Sequence, residues 1–94
     1  MRLMTRKRPR EYIEQPRNAA AKQPMLVWAA TVERSAWSSF VDVKATFPSA
    51  DLLVGERNCF EVGGKKWRII ANVAFKRQIV FIAWIGTHAE YERL

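Results

Sequence analysis

A glycine pair followed by strict two-residue alternation governs what this chain can become. Gly63-Gly64 follows Phe60-Glu61-Val62, and paired glycines tolerate the positive φ that a tight hairpin turn needs. Beyond it, Trp67, Ile69, Ala71, Val73 and Phe75 alternate with Lys66, Arg68, Ile70, Asn72, Ala74 and Lys76. A period of two puts the first set on one face of a strand and the second, with its cations and amide, on the other. Lys76-Arg77-Gln78 supplies the next turn. Ile79–Ile85 is then apolar throughout, which predicts a strand covered on both faces. From Phe60 to Leu94 the chain reads as three strands and a polar tail, displaying Lys66, Arg68, His88 and Tyr91.

Upstream, the alternating segment Arg2–Thr5 suits an edge strand. Pro9 suits the first position of a helix, which Arg10–Gln15 continues as far as Pro16. Pro24 suits the opening of a second helix over Met25–Val43. There Trp28, Val32, Ala36, Phe40 and Val43 recur as one apolar stripe, widened by Leu26, Ala29, Ala30 and Trp37. Aromatic stripes of this kind are far more often core than base-stacking platforms, so the stripe predicts packing on the sheet. Pro48 closes the helical region, and Gly55-Glu56-Arg57-Asn58 is a polar connection into the strands. No repeat, low-complexity run or linker interrupts the order. The reading is one α+β domain over residues 1–94, with two N-terminal helices on one face of a mainly antiparallel sheet.

Charge narrows the partners. The net charge is +7 with a pI near 10.2, and the cations cluster. Residues 1–22 hold seven against two acids, and residues 65–77 hold five against none. That pattern predicts a polyanion partner. A hydrophobic fraction of 49% with four Trp excludes a disordered basic tail. One cysteine, Cys59, and one histidine, His88, exclude a disulfide framework and a four-ligand zinc site. No carboxylate cluster suggests a metal, and no cofactor is expected. The basic start is followed by no apolar signal core, and no run approaches the ~20 apolar residues of a membrane span. A soluble, cytoplasmic protein is the expectation.

Two motifs carry a family resemblance: Phe60–Arg68 (F-E-V-G-G-K-K-W-R) and, some twenty residues on, Gly86–Tyr91 (G-T-H-A-E-Y). Together they resemble the HigB-type toxins of bacterial type II toxin–antitoxin modules, in the RelE/ParE superfamily. The likeness extends through Arg6-Lys7-Arg8, the Trp28 and Trp37 region and Asp42-Val43-Lys44. The chain departs from the usual pattern at Glu61, Lys65, Trp67 and Glu92. The resemblance implies a ribonuclease that cleaves mRNA on the translating ribosome and is silenced by a HigA-like helix-turn-helix antitoxin. Two other readings keep the same chain: a ParE-like toxin that binds a protein target without catalysis, and a plain basic RNA-binding module.

RNA cleavage without a metal needs a base for the ribose 2′-hydroxyl, cations for the phosphoryl oxygens and an acid for the leaving 5′-oxygen. Arg68 is the candidate for the phosphate, because its planar fork can grip two oxygens from the firm setting of a strand. The bland alternative is an ion pair with Glu61 or Glu90. His88 is a candidate proton carrier, since imidazole ordinarily titrates at about 6.5; equally it suits a hydrogen-bonded structural role. Tyr91 suits base stacking or proton delivery, and would share a face with His88 on a helical turn. Lys65 and Lys66 beside the glycine turn suit contact with the RNA backbone or plain solvation. Arg57, Lys76 and Arg77 suit electrostatic steering.

Overall fold

A computed structural model describes residues 1–94. The strands are β1 (Arg2–Thr5), β2 (Asp51–Leu52), β3 (Arg57–Val62), β4 (Trp67–Ala74) and β5 (Ile79–Thr87), and the helices are α1 (Lys7–Glu14), α2 (Ala19–Arg34), α3 (Phe40–Thr46) and α4 (His88–Glu92). One open sheet has the order β1-β5-β4-β3-β2. Only the β1–β5 pair is parallel. Gly63 and Gly64 both take positive φ, +64° and +68°, in the β3–β4 turn, so the glycine pair does what its freedom predicts. Gly63 has a second constraint: a Cβ there would lie 2.8 Å from the Trp67 ring.

The alternation in β4 divides the faces as read. Ile69, Ala71 and Val73 lie in the buried core, with Trp67 and Phe75 packed against it. Ala21, Met25, Trp28 and Val32 of α2, Val43 of α3, and Phe60 and Val62 of β3 complete that side. Phe60 is the aromatic hub, with ring centroids 5.2 Å from Trp28 and 5.3 Å from Phe47, and stacked on Trp37 at 6.4 Å.

Three helical expectations are corrected. First, α1 begins at Lys7, so Pro9 is its third residue rather than its first. Proline is still tolerated there, because first-turn N–H groups have no intrahelical acceptor. Second, α2 starts at Ala19 and carries Pro24 inside it, so the proline interrupts a helix already under way. Third, the apolar stripe over Met25–Val43 is not one helix: Ser35–Ser39 is non-helical, and α3 begins at Phe40. At 100° per residue an unbroken helix would turn Trp37 about 180° from Trp28, away from the core. The break instead lets Trp37 enter the core at 2% exposure, its Nε1 donating to Thr46 Oγ1 at 3.0 Å. Ala36 is left exposed in the connection. The new helix start is held by Asp42 Oδ2, which accepts the Ser38 N–H at 2.7 Å.

The apolar strand is corrected as well. Ile79–Ile85 is covered on one face, not two. Ile70 pairs with Trp84 and Ala71 with Ile82, so Ala83 is an extra residue on β5. Such a bulge reverses the alternation beyond it. Val80, Ile82 and Ile85 therefore face the core, while Phe81 and Trp84 are half-buried on the opposite face. That face is partly covered, by α4 beside Trp84 and by Arg6, whose guanidinium carbon lies 5.6 Å from the Phe81 ring centroid. The polar tail, on which a helical turn would let His88 and Tyr91 share a face, forms α4 because Thr87 caps it. Thr87 Oγ1 accepts the Glu90 N–H at 3.1 Å, and Glu90 Oε1 accepts the Thr87 N–H at 2.8 Å, a reciprocal box that satisfies two free donors.

Candidate active site

On the face away from the core, neighbouring strands align two rows of side chains. Glu61, Arg68 and Gly86 form one row, and Cys59, Ile70 and Trp84 the next. Helix α4 lies over them. Gly86 has no side chain because the Trp84 ring occupies that space: a Cβ there would come 2.5 Å from Trp84 Cζ2. The Trp84 ring in turn lies 6.1 Å from the Tyr91 ring.

Arg68 is the centre of the cluster. Its Nη2 donates to Glu61 Oε1 at 3.3 Å and meets His88 Nδ1 at 3.2 Å. Its guanidinium carbon lies 4.7 Å from the centroid of the Tyr91 ring, a distance at which a cation and a π face attract. Arg68 Nε is buried and has no acceptor. An unsatisfied buried donor costs roughly 1–3 kcal/mol, so an anion arriving here would relieve a cost the fold already bears.

The histidine tautomer follows from its neighbours. A guanidinium only donates, so Nδ1 must be the accepting nitrogen of a neutral ring. The proton then sits on Nε2, which donates to Glu92 Oε1 at 2.6 Å. His88 thus presents a lone pair toward Arg68 and is held from behind by a carboxylate one turn along α4. Tyr91 is pushed above the ordinary phenol pKa by burial, helped by the Cys59 thiol beside it and opposed by Arg68. It keeps its proton at neutral pH. Cys59 is itself raised by burial, so it remains a protonated thiol beneath the site.

Glu90 anchors the helix that carries His88 and Tyr91. Its Oε1 also accepts the Tyr12 hydroxyl at 2.9 Å. The Thr87 backbone bond, chiefly, holds its carboxyl below the usual range. Burial, then the Glu90 bond, pushes Tyr12 up to about 12.

Of the residues singled out in the sequence, Arg68, His88 and Tyr91 come together, and the Arg68–Glu61 ion pair that competed as an explanation is also present. Lys65 and Lys66 are exposed in the β3–β4 turn, where the Lys66 ammonium lies 5.9 Å from the Trp67 ring. Arg57 pairs opposite Asn72, four residues or about 13 Å along β4 from Arg68. Lys76 and Arg77 lie in the β4–β5 turn, beyond the far end of β4 from Arg68. The sequence reading missed Trp84, Glu92 and Tyr12. Glu92 had a signal, its i+4 spacing from His88, whereas Trp84 was concealed in an apolar run whose parity the bulge reverses.

The description HigB_toxin, RelE-like toxic component of a toxin-antitoxin system, matches residues 21–94. That span contains the whole Arg68–His88–Tyr91 cluster. The chain belongs to the HigB toxin family. It is 30% identical over 83 residues to the mRNA interferase toxin HigB of Escherichia coli strain K12, covering 81% of this chain and 80% of that protein. The same figures hold for the proteins named mRNA interferase HigB in Escherichia coli O157:H7 and Shigella flexneri. As a toxin of a toxin–antitoxin system, this HigB family member has an antitoxin partner. The family match starts after β1 and α1, so Arg6-Lys7-Arg8 and Tyr12 precede it. No helix is long and apolar enough to cross a membrane.

Proposed function

We propose that the protein is an mRNA endoribonuclease whose chemistry is performed by Arg68, His88 and Tyr91. The observation that carries this reading is the setting of Arg68: a half-buried guanidinium, with an unpartnered Nε, between a histidine lone pair and a protonated phenol. An RNA phosphate takes over the Arg68 donors that Glu61 and His88 hold in its absence, and frees His88 Nδ1. His88 then accepts the proton of the ribose 2′-hydroxyl as the 2′-oxygen attacks phosphorus. Arg68 stabilises the charge gathering on the phosphoryl oxygens. As the bond to the 5′-oxygen breaks, Tyr91 donates the proton that the leaving oxygen needs. The products are a 2′,3′-cyclic phosphate and a 5′-hydroxyl. Arg57, Lys65, Lys66, Lys76 and Arg77, outside the cluster, contribute steering toward RNA.

The ribosome is the proposed setting and a HigA-like helix-turn-helix protein the proposed antitoxin, which places the activity in the cytoplasm. The names of the relatives, each an mRNA interferase, support the substrate class. The test is induction with and without the neighbouring gene, followed by mapping of mRNA 5′ ends. New 5′-hydroxyl ends that vanish when the antitoxin is present are expected. Growth arrest with no new ends would point instead to a protein target, and neither arrest nor cleavage would sink the toxin mechanism altogether.

A further inference from the structure

A groove of about 680 Å³ opens where α1 leaves the sheet, lined by Arg6, Lys7, Arg8, Tyr12, Trp84 and Glu90 among others. It exists because β1 pairs with β5 only as far as Ile82, and the Arg6 N–H then bonds the Ile82 carbonyl before the chain turns into α1. Beyond that point β5 runs on to Thr87 without a strand beside it on this side. The β-bulge at Ala83 places Trp84 at the same opening.

Three features of the lining bear on what it holds. Arg6, Lys7 and Arg8 are exposed, and none is paired with a carboxylate. Trp84 offers an aromatic surface to the groove, and its ring lies 6.1 Å from that of Tyr91, so one side chain borders both the groove and the site. The one acid in the lining, Glu90, has its Oε1 committed to the Tyr12 hydroxyl and the Thr87 N–H. Cations along one wall and an aromatic platform beside them are what a single strand of nucleic acid needs: charge for the phosphates, a π face for the base. An acidic peptide would use the cations but has no use for the platform.

We propose that this groove binds the RNA strand next to the cleaved step, with one base stacked on Trp84 and the flanking phosphates held by Arg6, Lys7 and Arg8. The inference rests on the ribonuclease reading above but concerns residues that reading does not use. It makes α1 part of substrate selection: the base on Trp84 is a neighbour of the reacting nucleotide rather than the reacting nucleotide itself.

The experiment measures binding of the purified protein to two single-stranded 2′-fluoro RNAs, a dinucleotide and a longer oligonucleotide, neither with a 2′-hydroxyl to attack. The wild type should bind the longer one more tightly. The combined Arg6→Gln, Lys7→Gln and Arg8→Gln variant should lose about tenfold or more of that affinity. Its log–log salt slope should fall by about two, the value for three phosphate contacts on a single strand. Dinucleotide binding should stay unchanged. Trp84→Ala should cost about tenfold for the longer RNA, with Trp84→Tyr restoring most of it. Because Trp84 also supports Tyr91, the cation variant provides the reading that cannot be ascribed to a disturbed site. Equal affinity of the wild type for both lengths overturns the proposal, as does an equal loss for both in the cation variant. So does a cation variant that binds RNA normally and loses the antitoxin, which makes the groove a protein-docking surface. If mRNA is cleaved normally in cells while the groove variants bind RNA like wild type, the groove fails and the ribonuclease stands. If length-dependent, groove-dependent binding occurs with no cleavage in cells, the groove stands and the ribonuclease reading fails.

Discussion

Tyr12 and Glu90 are 78 residues apart in the chain, and the Tyr12 hydroxyl donates to Glu90 Oε1 at 2.9 Å. This bond ties α1 to α4. A helix of five residues has no stability of its own in water, so α4 depends on its capping box and on what holds it from outside. One of the bonds that hold α4, and with it His88 and Tyr91, over Arg68 thus comes from a side chain upstream of the residues that the family description matches.

Tyr12→Phe removes this bond while keeping the ring that packs on the core. Unfolding in denaturant should show a loss of about 1–2 kcal/mol, the scale for a hydrogen bond to a charged group that is partly open to water. Cleavage should fall too, although the variant removes nothing that touches RNA. Full activity at reduced stability would show that α4 holds its place unaided.

The same pair sets two limits in pH. Tyr12 is raised from 10.0 to about 12 in the fold, so its protonated form is favoured by folding. Its contribution is complete below pH 10 and is lost as pH rises through about 12. Glu90 is lowered from 4.5, so its contribution is complete above that value and is lost as pH falls through the lower folded one. Denaturant unfolding across pH should show both losses in the wild type. Tyr12→Phe should remove the part of the alkaline loss nearest pH 12, leaving that of Tyr91 and Cys59, which burial also raises, and Glu90→Gln should reduce the acid one.

Arg68→Ala should lower cleavage by about 10²-fold or more, as expected when a donor to developing charge is lost. Arg68→Lys should recover little, because a point charge replaces a fork that reaches Glu61, His88 and substrate together. The fold should persist, since Arg68 is on the face away from the core. In-cell cleavage mapping and circular dichroism check the two halves. Wild-type cleavage by a folded Arg68→Ala protein would remove Arg68 from the mechanism.

His88→Gln and Tyr91→Phe separate base from acid. His88→Gln should cut the rate and flatten its dependence on pH. Tyr91→Phe keeps the ring on Arg68 and on Trp84, so RNA affinity should hold while the rate falls by about 10²-fold. Rate–pH profiles for both variants are the measurement. An unchanged profile in His88→Gln would transfer the base role to another group.

Gly86→Ala tests the bed on which Trp84 lies. The added methyl meets the indole, and overpacking of this kind costs about 1–3 kcal/mol. The Trp84 ring should tilt away from Tyr91, so activity should fall further than stability alone explains. Thermal unfolding together with tryptophan emission reports both. Gly64→Ala, whose Cβ meets nothing within 4 Å but whose φ of +68° strains an L residue, shows a backbone cost without a ring clash.

What could be read from the residues followed their local rules. The glycine pair, the alternation in β4 and the spacing of Trp28 and Val32 each depend on near neighbours, and each gave the right element or face. The reading failed where a distant contact overrides the local pattern. The Ser35–Ser39 break lets Trp37 take a core position against Phe60; periodicity puts Trp37 half a turn from Trp28 but does not say that the helix breaks to bring it back. The Ala83 bulge shifts every later residue of β5 to the other face, so Trp84 looked like core. Arg68, His88 and Tyr91 could be named because a family resemblance pointed to two motifs. Their convergence needs the β4–β5 register, which places Gly86 opposite Arg68.

Parallel pairing of β1 with β5 has a consequence for the timing of synthesis. The first strand to be made finds its partner only after residues 79–82 have emerged, and the Tyr12–Glu90 bond waits longer still. Contacts so far apart in sequence form late. A nascent chain can bury Trp28 against Phe60 well before it can bring His88 to Arg68. The cluster around Arg68 is thereby assembled after the core that supports it.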